Sequence, residues 1–308
     1  MLLSVIIPTR HRANLLTDLL TSLRQQNPVD FQWEILVVDN GDPQTQDHET
    51  ANLCNRLQPR FPAPLRHIVE PEAGLHRGRN RGALEAQGEI LAYLDDDMVL
   101  SPDWLTGVRQ IREGLAQAVV GRILPLWPEG VNPDSLPEWA GVIYDGKCSG
   151  CWGLLDLGAE VRPVASEQVA GGNCFILRDI VIDFKGFHPD GMPDDKVRFR
   201  GDGETGFYRR FTEKGYRALY DPAAEARHVV SPIKLTLDYV LKRAFLQGVS
   251  DSYSRIRLAG GIERPWHALI NDSYIKGQLL HREWVRQDPD LLQWVLRDHY
   301  MDKIPGDL

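Results

Sequence analysis

The sequence predicts an α/β domain built on a mostly parallel sheet, followed by a helical extension at the C-terminus. In the first hundred residues, short continuous apolar runs alternate with segments of helical periodicity, and after residue 235 the periodicity is helical only. Short apolar runs are typical of strands that are covered on both faces. Strands that alternate with helices indicate βαβ units and therefore a parallel sheet.

The elements of the first half follow in chain order. Leu16, Leu19, Leu20 and Leu23 recur at three- and four-residue spacing, which predicts an apolar helix face after the first strand. A second helix is predicted to begin near Arg79, between the third and fourth strands. The strands are predicted over four apolar runs, at residues 2–8, 34–39, 66–69 and 89–94.

The regular pattern is lost in the middle of the chain. The segment from Pro125 to Pro163 contains five prolines and three tryptophans, which predicts a long irregular excursion over the sheet. A strand at 169–177 and a helix at 205–214, ended by Gly215, restore regular structure. Three further helices are predicted, one from residue 235, one at 267–280 and one at 283–300.

The composition excludes several classes of protein. The 308 residues are 43% hydrophobic and 25% charged, which is typical of a globular chain and not of a disordered, collagen-like or coiled-coil one. A net charge of −8 argues against a nucleic-acid partner. The sequence shows no apolar run long enough to span a membrane, no basic leader at its start and only four cysteines. We therefore expect a cytoplasmic protein without a disulfide framework.

Acidic side chains follow two of the predicted strands, at the sheet edge where open α/β domains bind ligands. Asp39 ends the second strand, and Asp95, Asp96 and Asp97 end the fourth. A single aspartate at such a position is more often a helix cap or turn former. Three consecutive carboxylates repel one another unless a cation lies between them. Because Mg²⁺ and Mn²⁺ prefer oxygen ligands, the cluster predicts a site for a divalent cation and a diphosphate.

The segment from Gly74 to Gly82, G-L-H-R-G-R-N-R-G, carries three arginines close to a predicted helix start. Cations are unfavourable there because the helix dipole is already positive at its N-terminus. The segment is either a solvated basic helix start or a phosphate site, since backbone N–H groups and arginines together bind phosphate. The conflict of charges favours the phosphate site.

Four motifs in series resemble glycosyltransferase family 2. They are S-V-I-I-P-T at residues 4–9, E-I-L-V-V-D-N at 34–40, G-R-N-R-G-A at 78–83 and L-D-D-D at 94–97. The resemblance implies a GT-A fold and an inverting transfer of a sugar from a nucleotide-diphospho-sugar, with a bias to UDP-sugars. It also implies a divalent cation, Mn²⁺ or Mg²⁺.

The resemblance also implies a domain organisation. A catalytic domain is expected at 1–230, followed by a helical extension at 231–308. Within the catalytic domain, residues 1–120 are expected to bind the nucleotide-sugar, and residues 121–230 to bind the acceptor and supply the base.

Roles of individual residues are implied by the same resemblance. Pro8 and Thr9 are expected to line the base pocket, and Asp39 to hydrogen-bond the nucleobase. Asp95 is expected at the ribose and Asp97 at the metal. The full set of nucleotide-binding residues implied is Pro8, Thr9, Arg10, Asp39, Arg79, Asn80, Asp95 and Asp96, the last with the smallest role.

A second acidic motif, F-R-G-D-G-E-T-G-F, lies at residues 199–207. The family commonly carries a Gly-Glu-Asp motif here, at the opening of a helix. Counted back from Gly215, Glu204 falls on the position of the catalytic base, and Asp202 is the alternative. Either carboxylate can accept a proton from an acceptor hydroxyl. The other interpretation is that the two acids cap the helix.

The remaining predicted site residues lie in the second half. His228 follows the second acidic motif, as the metal-binding histidine of many relatives does, and is therefore expected to bind the metal. The alternative is a structural role, which is more common for a lone histidine. The acceptor is expected to contact Trp127, Trp152, Gly172 and Asn173. For the tryptophans, the alternative is that they anchor a long loop by hydrophobic packing.

Two other functions stay open from the sequence alone. A nucleotidyltransferase would also use an Asp-bound metal, but it usually has a glycine-rich loop after the first strand, where this chain has T-R-H-R at residues 9–12. The second alternative is a non-catalytic nucleotide-sugar-binding protein of the same fold.

The acceptor hydroxyl is not identified by the sequence, and a glycan, a lipid-linked glycan and a small molecule all remain open. The predicted C-terminal helices carry Lys242, Arg243, Arg255 and Arg257, which indicates peripheral contact with the inner face of a membrane.

Overall fold

The computed structural model describes residues 2–41, 48–165, 168–169, 171–261 and 265–296. The chain divides into two compact units, Met1–Ser254 and Arg255–Leu308. The first unit therefore extends past residue 230, where the sequence placed the end of the catalytic domain. It contains the whole sheet and the candidate site.

The strands of the described residues form one mixed sheet in the order β3-β2-β1-β4-β8-β6-β9-β5, with β7 paired to β9. Their bounds are β1 Leu2–Thr9, β2 Gln32–Asp39, β3 Leu65–Val69, β4 Ile90–Leu94, β5 Met98–Leu100, β6 Ala118–Leu126, β7 Arg162–Pro163, β8 Asn173–Leu177 and β9 Ala218–Val229. The four strands predicted in the first half are all present, within two residues of their expected bounds.

Strand direction separates the two halves of the sheet. Strands β3, β2, β1 and β4 are parallel, as predicted for a βαβ arrangement. Strand β8 then pairs antiparallel with both β4 and β6, and β5 pairs antiparallel with β9. The chain leaves β4 in the middle of the sheet and enters β5 at its edge, so Asp95, Asp96 and Asp97 lie at this crossing.

Helices flank the sheet, and their bounds are α1 Ala13–Arg24, α2 Glu49–Leu57, α3 Leu75–Glu85, α4 Arg109–Arg112, α5 Arg178–Asp183, α6 Gly203–Glu213, α7 Leu237–Ala259, α8 Pro265–Gln287 and α9 Pro289–Val295. The apolar face predicted for α1 is buried against the sheet. Of the helices that the structure describes, none has the length and apolar character needed to cross a membrane.

Two helices differ from the sequence prediction. Helix α3 begins at Leu75 and not near Arg79, because Gly74 adopts φ 143° at the N-cap and its backbone N–H donates to Asn40 Oδ1 at 2.6 Å. Helix α8 continues to Gln287, past the break expected at residues 281–282. No proline or glycine interrupts it there, and the next proline, Pro289, opens α9. Residues 297–300 of the last predicted helix lie outside the described residues.

The segment from Pro125 to Pro163 is irregular, as predicted. It contains short 3₁₀ turns at Pro133–Ser135 and Glu138–Val142, and it closes a small hairpin in which Ser149 and Leu154 exchange backbone hydrogen bonds. The rings of Trp127, Tyr144 and Trp152 pack together beneath it, with centroids 5.5 to 5.9 Å apart. Aromatic packing of this kind anchors the long segment to the core.

Close packing of α3 on β1 gives a test of the fold. A Cβ at Gly82 would lie 2.3 Å from Ile6 Cγ2 in the core, so Gly82→Ala forces the helix away from the sheet. We expect it to lower the free energy of unfolding by about 1–3 kcal/mol. Gly248→Ala is the matched control, since this α7 glycine has no neighbour within 4 Å and alanine favours helix by roughly 0.5–1 kcal/mol. Urea denaturation of both variants measures the difference, and equal stabilities would contradict the packing argument.

Candidate active site

A cavity of about 770 Å³ opens beyond the carboxyl ends of β1 and β4. Its walls come from the loops after these strands, from the start of α6, from the end of β9 and from α7. The residues predicted for the site that line it are Pro8, Thr9, Arg10, Arg79, Asp95, Asp96, Asp97, Trp152, Gly172, Asp202, Glu204 and His228. A volume of this size is in the usual range for small-molecule sites.

Asp95, Asp96 and Asp97 form a turn after β4, the acidic turn, and Asp96 links it to the end of β1. Thr9 Oγ1 donates to its Oδ2 at 2.7 Å, and Arg12 NH1 donates to its Oδ1 at 2.8 Å. The residue is only 4% exposed, and burial raises the pKa of its carboxyl to about 6. Its two oxygens are held by protein groups, so Asp96 contributes mainly to the shape of the turn.

Asp97 faces three cationic or basic groups. Its Oδ1 lies 3.1 Å from His228 Nε2, and its Oδ2 lies 3.2 Å from Lys234 Nζ and 3.4 Å from Arg12 NH1. Burial acts to raise the pKa of Asp97, but the hydrogen bond to His228 and the nearby positive charges hold that pKa well below its usual range. Asp97 is therefore ionised over the whole physiological range.

His228 is oriented by a backbone carbonyl. Its Nδ1 lies 2.6 Å from the carbonyl oxygen of Trp152, and because a carbonyl can only accept, Nδ1 carries a proton. Nε2 then faces Asp97 Oδ1 and Lys234 Nζ, each 3.1 Å away. A histidine whose one ring nitrogen is fixed by a carbonyl while the other is turned to a carboxylate has the orientation of a metal ligand.

The donor set of Asp97 and His228 fits a divalent cation such as Mn²⁺. Over residues 2–41, 48–165, 168–169, 171–261 and 265–296, no group of three or more His, Cys, Asp or Glu side chains is arranged to hold a metal. Asp97 and His228 are therefore the pair of described side chains that would be available to such an ion. The ammonium of Lys234 contacts both, which indicates that positive charge is favoured at this point.

Arg79 bridges the acidic turn and Glu204 of the second acidic motif. Its NH2 donates to Asp95 Oδ1 at 2.7 Å, and its NH1 donates to Glu204 Oε1. The side chain is 1% exposed, and burial acts to lower the pKa of its guanidinium, but the two carboxylates raise that pKa above its usual range. Arg79 thus stays charged and holds the carboxylates of Asp95 and Glu204 together in the wall of the cavity.

Two glycines allow this bridge to form. A Cβ at Gly171 would lie 2.3 Å from Glu204 Oε1, and a Cβ at Gly172 would lie 2.6 Å from Asp95 Oδ2. The backbone N–H of Asp95 also donates to the carbonyl of Gly172 at 3.1 Å. Gly172, predicted as an acceptor-binding residue, lines the cavity and lets the carboxylates approach its backbone.

The two candidate bases have different surroundings. Asp202 is 3% exposed, and its carboxylate receives hydrogen bonds from His188 at 2.5 Å, Ser254 at 2.8 Å and Arg209 at 3.3 Å. Burial acts to raise the pKa of Asp202, but these hydrogen bonds and charges hold that pKa below its usual value. Glu204, by contrast, keeps 28% of its side chain exposed towards the cavity. Asp202 occupies the N-cap position of α6 without a side-chain capping bond, so the capping interpretation does not describe its side chain.

Besides Asp39, three predicted residues are not part of the cavity wall. Asn80, predicted at the nucleotide, instead exchanges two hydrogen bonds with the backbone of Phe187, each of 2.9 Å. Asn173, predicted at the acceptor, is fully buried, where it accepts from Trp104 Nε1 and donates to two backbone carbonyls. Trp127 packs edge-on against Trp152 and is not part of the cavity wall.

Asp39 and Trp152 lie in supporting positions. Asp39 pairs in register with Thr9, its Oδ1 accepts from the backbone N–H of Gly41 at 3.0 Å, and its Oδ2 lies 3.3 Å from His67 Nε2. The adjacent Asn40 is the residue of that strand end that lines the cavity. Trp152 lines the cavity but is 1% exposed, and its indole N–H donates to the carbonyl of Lys234 at 2.8 Å.

The sequence did not reveal the contribution of α7. Tyr239, Arg243, Gln247 and Ser250 line the cavity from one face of this helix. Their spacing of four, four and three residues is a helical stripe, which was the available signal. Lys234, just before the helix, was missed as well.

Comparison with known proteins gives the family. Residues 4–133 match the model of glycosyl transferase family 2. The chain is 30% identical to the glycosyltransferase AglE of Haloferax volcanii, over 89% of this chain and 86% of that protein. It is 26% identical to a glucosyl-dolichyl phosphate glucuronosyltransferase of the same organism, over 60% of this chain, and the matched part spans 56% of that protein's length.

The fold is also found among solved structures. A mannosyltransferase from Pyrobaculum calidifontis, solved with GDP-Man and Mn²⁺, superposes with a TM-score of 0.55 at 19% identity, over 85% of this chain and 65% of that one. The architecture is therefore the GT-A fold, as the sequence predicted. The match to AglE over most of both chains shows that the chain belongs to glycosyltransferase family 2.

Proposed function

We propose that the enzyme transfers a sugar from a nucleotide-diphospho-sugar to an acceptor hydroxyl, with a divalent cation at Asp97 and His228 and with Glu204 as the general base. The observation that carries the proposal is the Arg79 bridge, which fixes Asp95 and Glu204 in the cavity that also contains Asp97 and His228. The two alternative functions are nucleotidyl transfer and nucleotide-sugar binding without catalysis. Membership of glycosyltransferase family 2 supports neither of them.

The donor occupies the end of the cavity formed by the strand ends of β1 and β2. Pro8, Thr9, Arg10 and Asn40 line this end, and Asp39 lies next to it. The GDP-Man bound to the Pyrobaculum mannosyltransferase, which has the same fold, supports a nucleotide-sugar as donor. The resemblance favours uridine as its base.

Asp97 and His228 would hold the cation, Mn²⁺ or Mg²⁺. When bound, it neutralises charge that develops on the leaving diphosphate. The Trp152 carbonyl keeps the His228 ring in position, and Lys234 adds a positive charge beside both ligands. The Mn²⁺ in the mannosyltransferase complex supports a divalent cation.

Glu204 accepts the proton of the acceptor hydroxyl, which then attacks the anomeric carbon from the face opposite the diphosphate. A single displacement of this kind inverts the anomeric configuration. Asp202 is unsuited to the role because three donors already occupy its carboxylate. The positive charge of Arg79 keeps Glu204 aligned without covering it.

The acceptor is a glycan, a lipid-linked glycan or a small molecule. The glucuronosyltransferase relative is named for a glucosyl-dolichyl phosphate, which supports a lipid-linked acceptor. Helix α8 exposes Trp266, Leu269 and Ile270, each more than half exposed, and these fit peripheral contact with the inner face of a membrane.

Glu204→Gln tests the base. The amide keeps the size of the side chain but cannot accept the proton at neutral pH, so turnover should fall about 10²–10⁴-fold while nucleotide affinity is unchanged. Turnover of the donor and calorimetric titration with UDP in Mn²⁺ measure the two quantities. Near-native turnover of the variant would contradict the assignment.

Asp202→Asn is expected to act on stability instead. The pKa of Asp202 is lowered in the folded protein, so its ionised form stabilises the fold above its unfolded pKa, and this contribution is lost as the pH falls through the folded pKa. The variant should therefore unfold more easily than the wild type at pH 7, by about 1–3 kcal/mol, and the difference should shrink towards pH 3. Urea denaturation at both pH values measures this. A pH-independent difference would contradict the prediction.

Asp97→Asn tests the cation site. Loss of the anionic ligand should weaken Mn²⁺-dependent binding of UDP at least tenfold, because hydrogen bonds and contacts of charged groups contribute about 1.5–3 kcal/mol. Asp96→Asn is the control, since its amide oxygen can still accept from Thr9 and it leaves Asp97 in place. Titration of each variant with UDP and with GDP, with and without Mn²⁺, gives the comparison. Equal losses in both variants would contradict the assignment.

A further inference from the structure

Helix α7 presents a polar stripe to the cavity. Tyr239, Arg243, Gln247 and Ser250 all line it, and at 1.5 Å per residue the stripe extends about 16 Å along the wall. Apolar residues of the same helix, such as Leu241 and Phe245, are exposed to solvent. The polar face is therefore turned towards the substrate space.

Arg243 differs from most cations of the cavity. Within the described part of the chain it has no hydrogen-bond or ion-pair partner, and only Arg10, beside the nucleotide end, shares this property. The other arginines and the lysine of the cavity are paired with acids: Arg12 with Asp96, Arg79 with Asp95, Arg200 with Asp190 and Lys234 with Asp97.

The surroundings of Arg243 add positive charge. Burial lowers the pKa of Arg200, and the nearby charge of Arg243 lowers it further. The carboxylate of Asp190 is already held by Arg200 NH1 at 2.5 Å and by the backbone N–H of Gly191. Arg200 Nε also donates to Ser250 Oγ at 2.8 Å, so the guanidinium of Arg200 lies against α7, the helix that carries Arg243. Arg243 thus adds positive charge beside another cation, and the carboxylate of Asp190 is already paired.

This arrangement lies at the acceptor end of the cavity. A Cβ at Gly203 would lie 2.9 Å from Asp190, so Asp190 and the Arg200 paired with it lie beside the start of α6, next to Glu204, the proposed base. The nucleotide end, at Pro8 and Thr9, belongs to a different wall.

We propose that Arg243 binds a phosphate group carried by the acceptor, so that the enzyme glycosylates a phosphorylated acceptor in preference to a neutral one. The proposal rests on the proposed function, because it takes Glu204 to mark the acceptor end. A guanidinium donates up to two parallel hydrogen bonds to a phosphate, and the charge of that phosphate would relieve the repulsion between Arg243 and Arg200.

The test uses glucose 1-phosphate and methyl glucoside as probes, titrated into protein saturated with UDP and Mn²⁺ so that the donor end is filled. The wild type should bind glucose 1-phosphate more tightly than methyl glucoside. Arg243→Gln should weaken glucose 1-phosphate at least tenfold, in line with the loss of a hydrogen bond to a charged group, and leave methyl glucoside unchanged. Arg257→Gln is the matched control, since it removes the same charge from an exposed position on the same helix.

Three results would overturn the proposal: equal binding of glucose 1-phosphate by the wild type and Arg243→Gln, a loss of UDP affinity in Arg243→Gln, which would assign the arginine to the donor diphosphate, or no saturable binding of glucose 1-phosphate to the wild type. Failure of the wild type to bind UDP or GDP would instead contradict the proposed function. Circular dichroism of both variants confirms that they are folded before titration.

Discussion

The site depends on one buried cation. Arg79 is covered almost completely, and a buried charge that loses its partner costs about 3–5 kcal/mol, so its two carboxylates must be in place for the fold to be stable. One of them, Asp95, follows β4, and the other, Glu204, lies in the first turn of α6, so the pair joins the nucleotide half of the chain to the half that supplies the base. The requirement is mutual: without Arg79, two carboxylates would face each other in a cleft. The same contact therefore stabilises the fold and sets the position of the proposed base.

The acidic turn shows how three neighbouring carboxylates coexist. Asp95 turns to Arg79, Asp96 to Thr9 and Arg12, and Asp97 to His228. Each carboxylate is thus compensated by a different element, so their mutual repulsion, which the sequence analysis took as evidence for a cation, is largely relieved by the protein itself. The effect of burial still differs between them. It raises the pKa of Asp96 to about 6, whereas Asp97 is held ionised by its basic neighbours and keeps the charge that a cation requires.

Sequence reasoning succeeded where a local pattern determines the outcome. The apolar runs became the strands of the parallel half of the sheet, and Glu204, the residue singled out by its distance from Gly215, lines the cavity from the first turn of α6. It failed where a polar side chain is hydrogen-bonded to a group that lies far away in the sequence. Asn80 is held by the backbone of Phe187, and Asn173 is held by three groups around β6 and β9. These contacts join residues 50 or more positions apart, so they leave no periodic signal in the sequence. The hydrogen bonds that Asp202 accepts from His188, Arg209 and Ser254 likewise could not be read from the local pattern of its motif.

Helix α7 shows how helical phase separates two neighbouring positive charges. Lys242 and Arg243 are adjacent and equally charged, and the sequence analysis assigned both to membrane contact, yet a rotation of about 100° per residue separates them. Lys242 points outward to Asp194 at 2.8 Å, whereas Arg243 lines the cavity. The family model ends at residue 133, before Glu204, His228 and all of α7. The ends of β1, β2 and β4 lie within the matched part, whereas α6, the end of β9 and α7 lie outside it. Helical phase, more than the number of basic residues, thus determines which charges of α7 face the cavity.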